Sequence, residues 1–237
     1  MSRPHVSIVI PIYNEEGILH SAVVDLRERI GEYPRGFEIV LAENGSKDRT
    51  VEVAEELARK YPEVVLIRTG EPNYGLALQK GILAARGDFV ICDEIDLCDV
   101  DFHREALELL EASEADLVIG SKLIRGAADQ RPMFRHAASI VYTSLLKALL
   151  DFRGSDTHGL KAFRRERLLG VLDACQTDKD VFASEFVIRA YRAGIPVREI
   201  PIRVVEKRPP SINLLRRVPN VLKNLGKLTW AIRVVRH

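Results

Sequence analysis

The stretch Val6-Ser7-Ile8-Val9-Ile10-Pro11-Ile12-Tyr13-Asn14-Glu15-Glu16 decides how this chain folds. Val6–Pro11 is apolar apart from Ser7 and ends on a proline. A short run without polar alternation suits a strand buried on both faces, as in a parallel sheet. The turn that follows carries proline, tyrosine and two glutamates where a dinucleotide-binding fold carries G-x-G-x-x-G. Such a turn cannot bring its backbone close to a pyrophosphate, and its carboxylates repel one. If the fold binds a nucleotide, a cation must manage the phosphates.

Working outward, short apolar runs alternate with helical stripes, the mark of βαβ units. Strands are expected at Val6–Pro11, Phe37–Ala42, Val64–Arg68, Phe89–Cys92 and Leu117–Ile119. Helices are expected over Glu15–Ile30, Thr50–Tyr61, Leu76–Arg86 and Phe102–Ala112. Beyond Gly120 the pattern loosens. Arg125–Arg135 reads as a mobile loop, Ala137–Leu150 as an apolar helix, Leu160–Phe163 as a short strand, Ala183–Arg192 as a helix and Val197–Val204 as a strand. From Leu214 to Val235 apolar residues recur every three or four positions, and the bases lie largely off that stripe. The expectation is an α/β domain over residues 1–211 and a basic amphipathic helix over 212–237. That helix either packs on the domain or a second subunit, or lies in a membrane interface.

Composition bounds the partners. The 237 residues include 46% hydrophobic and 29% charged residues, an ordinary globular balance. The net charge of +1 hides an asymmetry, because eight bases and no acid follow Glu206. The chain before that point carries 27 bases (35 less eight) against 34 acids. An acidic body with a basic tail suggests contact with an anionic surface, or packing of the tail on the body. Three cysteines, Cys92, Cys98 and Cys175, give no disulfide framework and favour a reducing compartment. No signal-peptide pattern follows Met1, and no apolar run reaches the ~20 residues that span a bilayer. The expected location is cytoplasmic, with attachment at the inner face of a membrane as the alternative in which the tail lies in the interface. One tryptophan in a helical tail is no aromatic-lined groove, so nucleic acid is not an expected partner. Oligomeric state is left open.

Ligands of an open parallel sheet bind at the carboxyl ends of its strands. Polar clusters fall at three such ends: Pro11 to Glu16, Glu43-Asn44-Gly45-Ser46, and Asp93-Glu94-Ile95-Asp96. Glu43 is suited to a ribose hydroxyl or a base N–H. Glu94 and Asp96, one residue apart, can turn toward one hard cation and leave positions for phosphate oxygens. Mg²⁺ or Mn²⁺ held there neutralises charge on a departing nucleoside diphosphate. Taken alone, Asp-Glu-Ile-Asp is an acidic surface turn; its position level with the other two clusters favours the metal reading.

The opening run Val6–Glu16 resembles the signature of family 2 glycosyltransferases with the GT-A fold, and more nearly that of the dolichyl- and polyprenyl-phosphate hexose synthases. Glu43-Asn44-Gly45-Ser46-Lys47-Asp48-Arg49-Thr50 is similar to D-D-G-S-x-D-x-T, and Gly81–Asp88 to G-I-x-x-A-x-G-D. Glu94-Ile95-Asp96 stands at the family's D-x-D metal motif, and Gly120-Ser121-Lys122 matches G-S-[RK]. Asp156–Phe163 resembles D-x-x-x-G-F-[RK]-x-F, and Glu199–Ile202 resembles E-[VI]-P-I. The likeness covers residues 6–211, seven segments in one order. Glu43-Asn44 stands for Asp-Asp and Glu94 for the first aspartate of the metal motif, and only the amphipathic tail stands where the family has a helical membrane anchor.

The resemblance implies an inverting hexosyltransferase. Pro11, Tyr13, Asn14, Glu15, Glu43, Asn44, Gly75, Asp93 and Glu94 would hold a GDP-mannose or UDP-glucose type donor, with Glu94 and Asp96 on the metal. A hydroxyl acceptor needs a base, and Asp156 is the candidate, although it serves equally as an Asx-turn. A polyprenyl phosphate acceptor needs cations instead: Lys122, Arg125, Arg131, Arg135 and Arg208 flank the expected loop. A transferase on a glycan or small-molecule hydroxyl and a catalytically weak nucleotide-sugar binder are the alternatives.

Overall fold

The computed structural model describes residues 4–31, 35–130, 132–204 and 218–234. β1 (Val6–Ile12) is buried along its whole length, with β2 (Phe37–Glu43) on one side and β4 (Phe89–Cys92) on the other. The seven-stranded sheet runs β3-β2-β1-β4-β7-β5-β8, where β3 is Val64–Arg68, β5 Leu117–Ser121, β7 Lys161–Arg164 and β8 Val197–Pro201. All pairs are parallel except those of β7, which lies antiparallel between β4 and β5.

Contrary to expectation, Pro11 does not end the first strand. The Val9 carbonyl accepts from Asp93 and the Ile12 carbonyl from Asn44, so odd residues of β1 face β4 and even ones face β2. β4 stops opposite Val9, and Pro11 therefore lacks an N–H on a side where no ladder bond is required.

Alternate residues of β1 feed two cores. Val6, Ile8, Ile10 and Ile12 pack with α1 (Leu19–Ile30), α2 (Thr50–Lys60) and α4 (Val100–Glu111). Val9 faces α3 (Tyr74–Ala84), and the same core continues under α5 (Met133–Leu150), α6 (Arg165–Asp173) and α7 (Phe182–Arg192). Helices thus cover both faces, the three-layer arrangement of a mostly parallel sheet.

Four local expectations change. α1 begins at Leu19, because residues 15–18 form a turn in which the Glu15 carbonyl receives the Ile18 and Leu19 amides. The segment read as a loop contains β6 (Ala128–Asp129), and α5 starts at Met133, so Arg135 lies in its first turn. The strand read over Val197–Val204 divides at Ile202, and β9 (Arg203–Val204) pairs with β6 in a separate two-stranded sheet. α6 was not expected: it is short, interrupted by Gly170, and buries only Leu168, Val171 and Leu172.

The last helix, α8 (Val218–Arg233), packs on α5 and α7. Leu225, Leu228, Ala231 and Ile232 are buried there, whereas Leu222 and Trp230 are exposed. Leu214 and Val235 of the stripe lie outside the described residues, as do five of the eight tail bases (Lys207, Arg208, Arg216, Arg217, Arg236). No helix among the described residues is long and apolar enough to cross a membrane.

Candidate active site

The parallel strands β1, β2 and β4 end at Ile12, Glu43 and Cys92, and the strand order reverses between β1 and β4. That is the crevice where open α/β sheets take ligands. The first two loops are laced together. Asn14, at φ 54°, accepts from the Lys47 amide and donates its own amide to Ser46 Oγ. The Glu15 amide donates to Thr50 Oγ1, and the Glu16 carboxylate accepts from the Arg49 amide. These bonds fix loops that leave Tyr13 39% exposed above buried Pro11. Buried Glu43 accepts from the Ser46 amide at 2.5 Å.

A second wall rises from the start of α3. The Asn44 side chain accepts from the Asn73 amide. The Asn73 side chain caps α3 through the Leu76 amide, accepts from the Lys179 amide and donates to Asp178. Gly75 is a packing residue in this wall, since a Cβ there would lie 2.4 Å from the Lys179 carbonyl oxygen. Behind it, fully buried Glu185 accepts from the Gln176 and Thr177 amides, Thr177 Oγ1 and Arg189 Nε.

The acidic cluster closes the floor. Asp93 is committed inward: its Oδ2 lies 2.5 Å from His103 Nε2, with both side chains inaccessible, and its Oδ1 receives the Glu94 amide. Glu94 faces Tyr74, whose hydroxyl donates to Oε1 at 2.5 Å. Burial pushes the Glu94 carboxyl up to about 7. The Tyr74 hydrogen bond and Lys161 oppose that rise, while the charges of Asp96 and Asp93 add to it. No group of three or more His, Cys, Asp or Glu among the described residues is arranged to hold a metal ion. Glu94 and Asp96 nonetheless fit one: a carboxylate made costly by burial and by like charge gains from a cation, and two protein ligands leave positions for phosphate oxygens.

The acceptor candidates divide. Lys122 Nζ lies 2.6 Å from Asp156 Oδ2, and both side chains are buried. Burial works to raise Asp156, but the Lys122 charge and hydrogen bond outweigh it, and the carboxyl stands below its usual value. The expected phosphate guide and the expected base are thus each other's partner. Arg125 is exposed, and Arg131 and Arg208 lie outside the described residues. Two side chains beside this pair lie in the Asp156–Phe163 motif but were given no role of their own. Lys161, buried in β7, donates to the Gly159 carbonyl at 2.7 Å, and burial lowers its ammonium. His158 is exposed; its Nδ1 lies 3.2 Å from Thr157 Oγ1, which in turn meets Ser184 Oγ. A lysine inside the otherwise apolar run Leu160–Phe163 was the available signal for Lys161.

Comparison with known proteins places the fold. The model of glycosyl transferase family 2 matches residues 7–172. The glycosyltransferase AglD of Haloferax volcanii is 28% identical over 235 residues, 97% of this chain and 38% of that protein. A dolichol-phosphate mannosyltransferase of Pyrococcus furiosus is 34% identical over 177 residues, 70% of this chain and 48% of that protein. A dolichyl-phosphate beta-glucosyltransferase, ALG5A, of Trichomonas vaginalis is 27% identical over 211 residues, 84% of this chain and 65% of that protein. The chain therefore spans 38% to 65% of these relatives' lengths. Glucosyl-3-phosphoglycerate synthase of Mycobacterium tuberculosis, solved with Mn²⁺, uridine diphosphate and phosphoglyceric acid, superposes with a TM-score of 0.66 at 18% identity, covering 95% of this chain and 78% of that one. With the GT-A architecture in common and most of its length matched, this chain belongs to glycosyl transferase family 2.

Proposed function

We propose that this chain transfers a hexose from a nucleotide-diphosphate sugar to a polyprenyl or dolichyl phosphate, with Mg²⁺ or Mn²⁺ held by Glu94 and Asp96. The observation that carries the reading is the acidic floor after β4, where Glu94 is costly as an anion beside Asp96 and Asp93 at the mouth of the β1/β4 crevice. The cation, when bound, supplies charge neutralisation for a leaving diphosphate. The laced loops of Tyr13 and Glu43 would seat the nucleoside, and the Asn44–Asn73 wall would close its side. The reaction is a single inverting displacement at the anomeric carbon.

Asp156 bears on the acceptor. Held ionised by Lys122 and below its usual pKa, it is a weak proton acceptor. A phosphate monoester is already an anionic nucleophile and requires no base, which favours the lipid phosphate. The two dolichyl-phosphate transferases among the relatives support the same choice. Exposed apolar residues on α5 and α8, among them Phe134, Val141, Leu222 and Trp230, are consistent with work at a membrane surface.

The test is transfer of labelled hexose from GDP-mannose or UDP-glucose, with Mn²⁺, in the presence of polyprenyl phosphate vesicles. Label in the organic phase is expected. Label confined to a water-soluble product would instead support a hydroxyl acceptor with Asp156 as its base, and metal-dependent donor binding without turnover would support a nucleotide-sugar binder.

A further inference from the structure

We propose that Tyr74 is a positioning residue for Glu94, fixing the carboxylate so that one oxygen remains for the cation; this rests on the metal-dependent reading above. The Tyr74 hydroxyl occupies Glu94 Oε1. The Glu94 backbone is held separately, by its amide on Asp93 and by its carbonyl, which receives the Leu97 and Cys98 amides. What the backbone does not fix is a long side chain with three torsions, and the phenol supplies that constraint.

Tyr74 is itself braced. It is the first residue of α3, between the cap residue Asn73 and the tightly packed Gly75. Asn73 is tied to Asn44 on one side and to Asp178 and Lys179 on the other. The metal carboxylate therefore leans on the same wall that would flank the nucleotide. A glutamate at position 94 reaches this phenol. Aspartate, one methylene shorter, falls short of a hydroxyl that Glu94 meets at 2.5 Å. Hydrogen-bonded partners of this kind contribute about 10–100-fold to metal affinity.

Mn²⁺ affinity, read from the free-ion paramagnetic resonance signal without any donor, tests the proposal on Tyr74→Phe, Glu94→Asp, the double variant, Glu94→Gln and Asp96→Asn. Tyr74→Phe should weaken Mn²⁺ binding about tenfold in the wild-type background and leave it unchanged in the Glu94→Asp background. Metal-free uridine diphosphate affinity should stay within error, which separates positioning from a general loss of structure. Equal Mn²⁺ affinity for wild type and Tyr74→Phe, or the same loss with Glu94→Asp present, overturns the role of Tyr74. Wild-type Mn²⁺ binding by Glu94→Gln and Asp96→Asn, or none by the wild type, overturns the metal site itself and the role of Tyr74 with it.

Discussion

The Lys122 ammonium and the Asp156 carboxylate meet at 2.6 Å with both side chains buried. Two charges withdrawn from water are tolerated only as partners, and removing one leaves the other without solvent or counter-ion. Asp156→Asn or Lys122→Met should each lower unfolding free energy by about 3–5 kcal/mol in urea titrations. The double replacement Lys122→Met with Asp156→Asn should cost much less than the sum of the two single changes. Additive losses would show that the pair is not energetically coupled.

Glu94 gives a pH-dependent stability of opposite sign to most carboxylates. Its folded value is about 7 against an ordinary 4.5. The folded state therefore binds more protons between those values, and the cost of ionising Glu94 grows as pH rises through that window. In chelator, Glu94→Gln should raise the thermal midpoint at pH 8 by about 3–6 °C and have a smaller effect at pH 5. An equal gain at both pH values would contradict the buried-anion account. The same variant should lose activity, because it removes a carboxylate proposed to hold the metal.

Gly75 should tolerate no side chain. A Cβ would stand 2.4 Å from the Lys179 carbonyl oxygen and 2.7 Å from the Phe182 Cβ. Gly75→Ala should cost about 1–3 kcal/mol by overpacking and weaken binding of uridine diphosphate, because the Asn73–Lys179 bond must give way. Chemical denaturation and calorimetry would read the two effects, and wild-type values in both would refute them.

In the last helix, Leu228 is fully buried while Trp230 is 60% exposed. Leu228→Ala should destabilise by about 2–5 kcal/mol. Trp230→Ala should change stability by less than about 0.5 kcal/mol. A vesicle flotation assay then isolates any surface role of Trp230, since the variant remains folded. Equal destabilisation by both would mean that α8 packs on another face.

The sheet half that carries the cleft was legible because each parallel strand there is a short unbroken apolar run: the expected ends at Ala42, Arg68 and Cys92 lie within a residue of those observed. Pro11 misled because the cost of a proline depends on which neighbour its missing N–H would face, and that is set by where β4 stops. Asp93 read as an outward acid because nothing local revealed that His103, ten residues on, would turn inward to meet it. Lys122 and Asp156 were assigned opposite tasks for the same reason: 34 positions separate them, and only the alignment of β5 with the loop before β7 joins them. The helix α6 hid behind Gly170 and a single buried turn.

The reversed strand β7 also dictates an order of assembly. Within the sheet, β5 and β8 have no edge on the N-terminal strands and are joined to them through β7. Residues up to Cys92 can pair β3, β2, β1 and β4 as they leave the ribosome, but the far edge of β4 stays open until residue 164 has emerged. During that interval the nascent chain presents Phe89 to Cys92 as an unprotected apolar margin, the moment at which chaperone capture or self-association competes with closure.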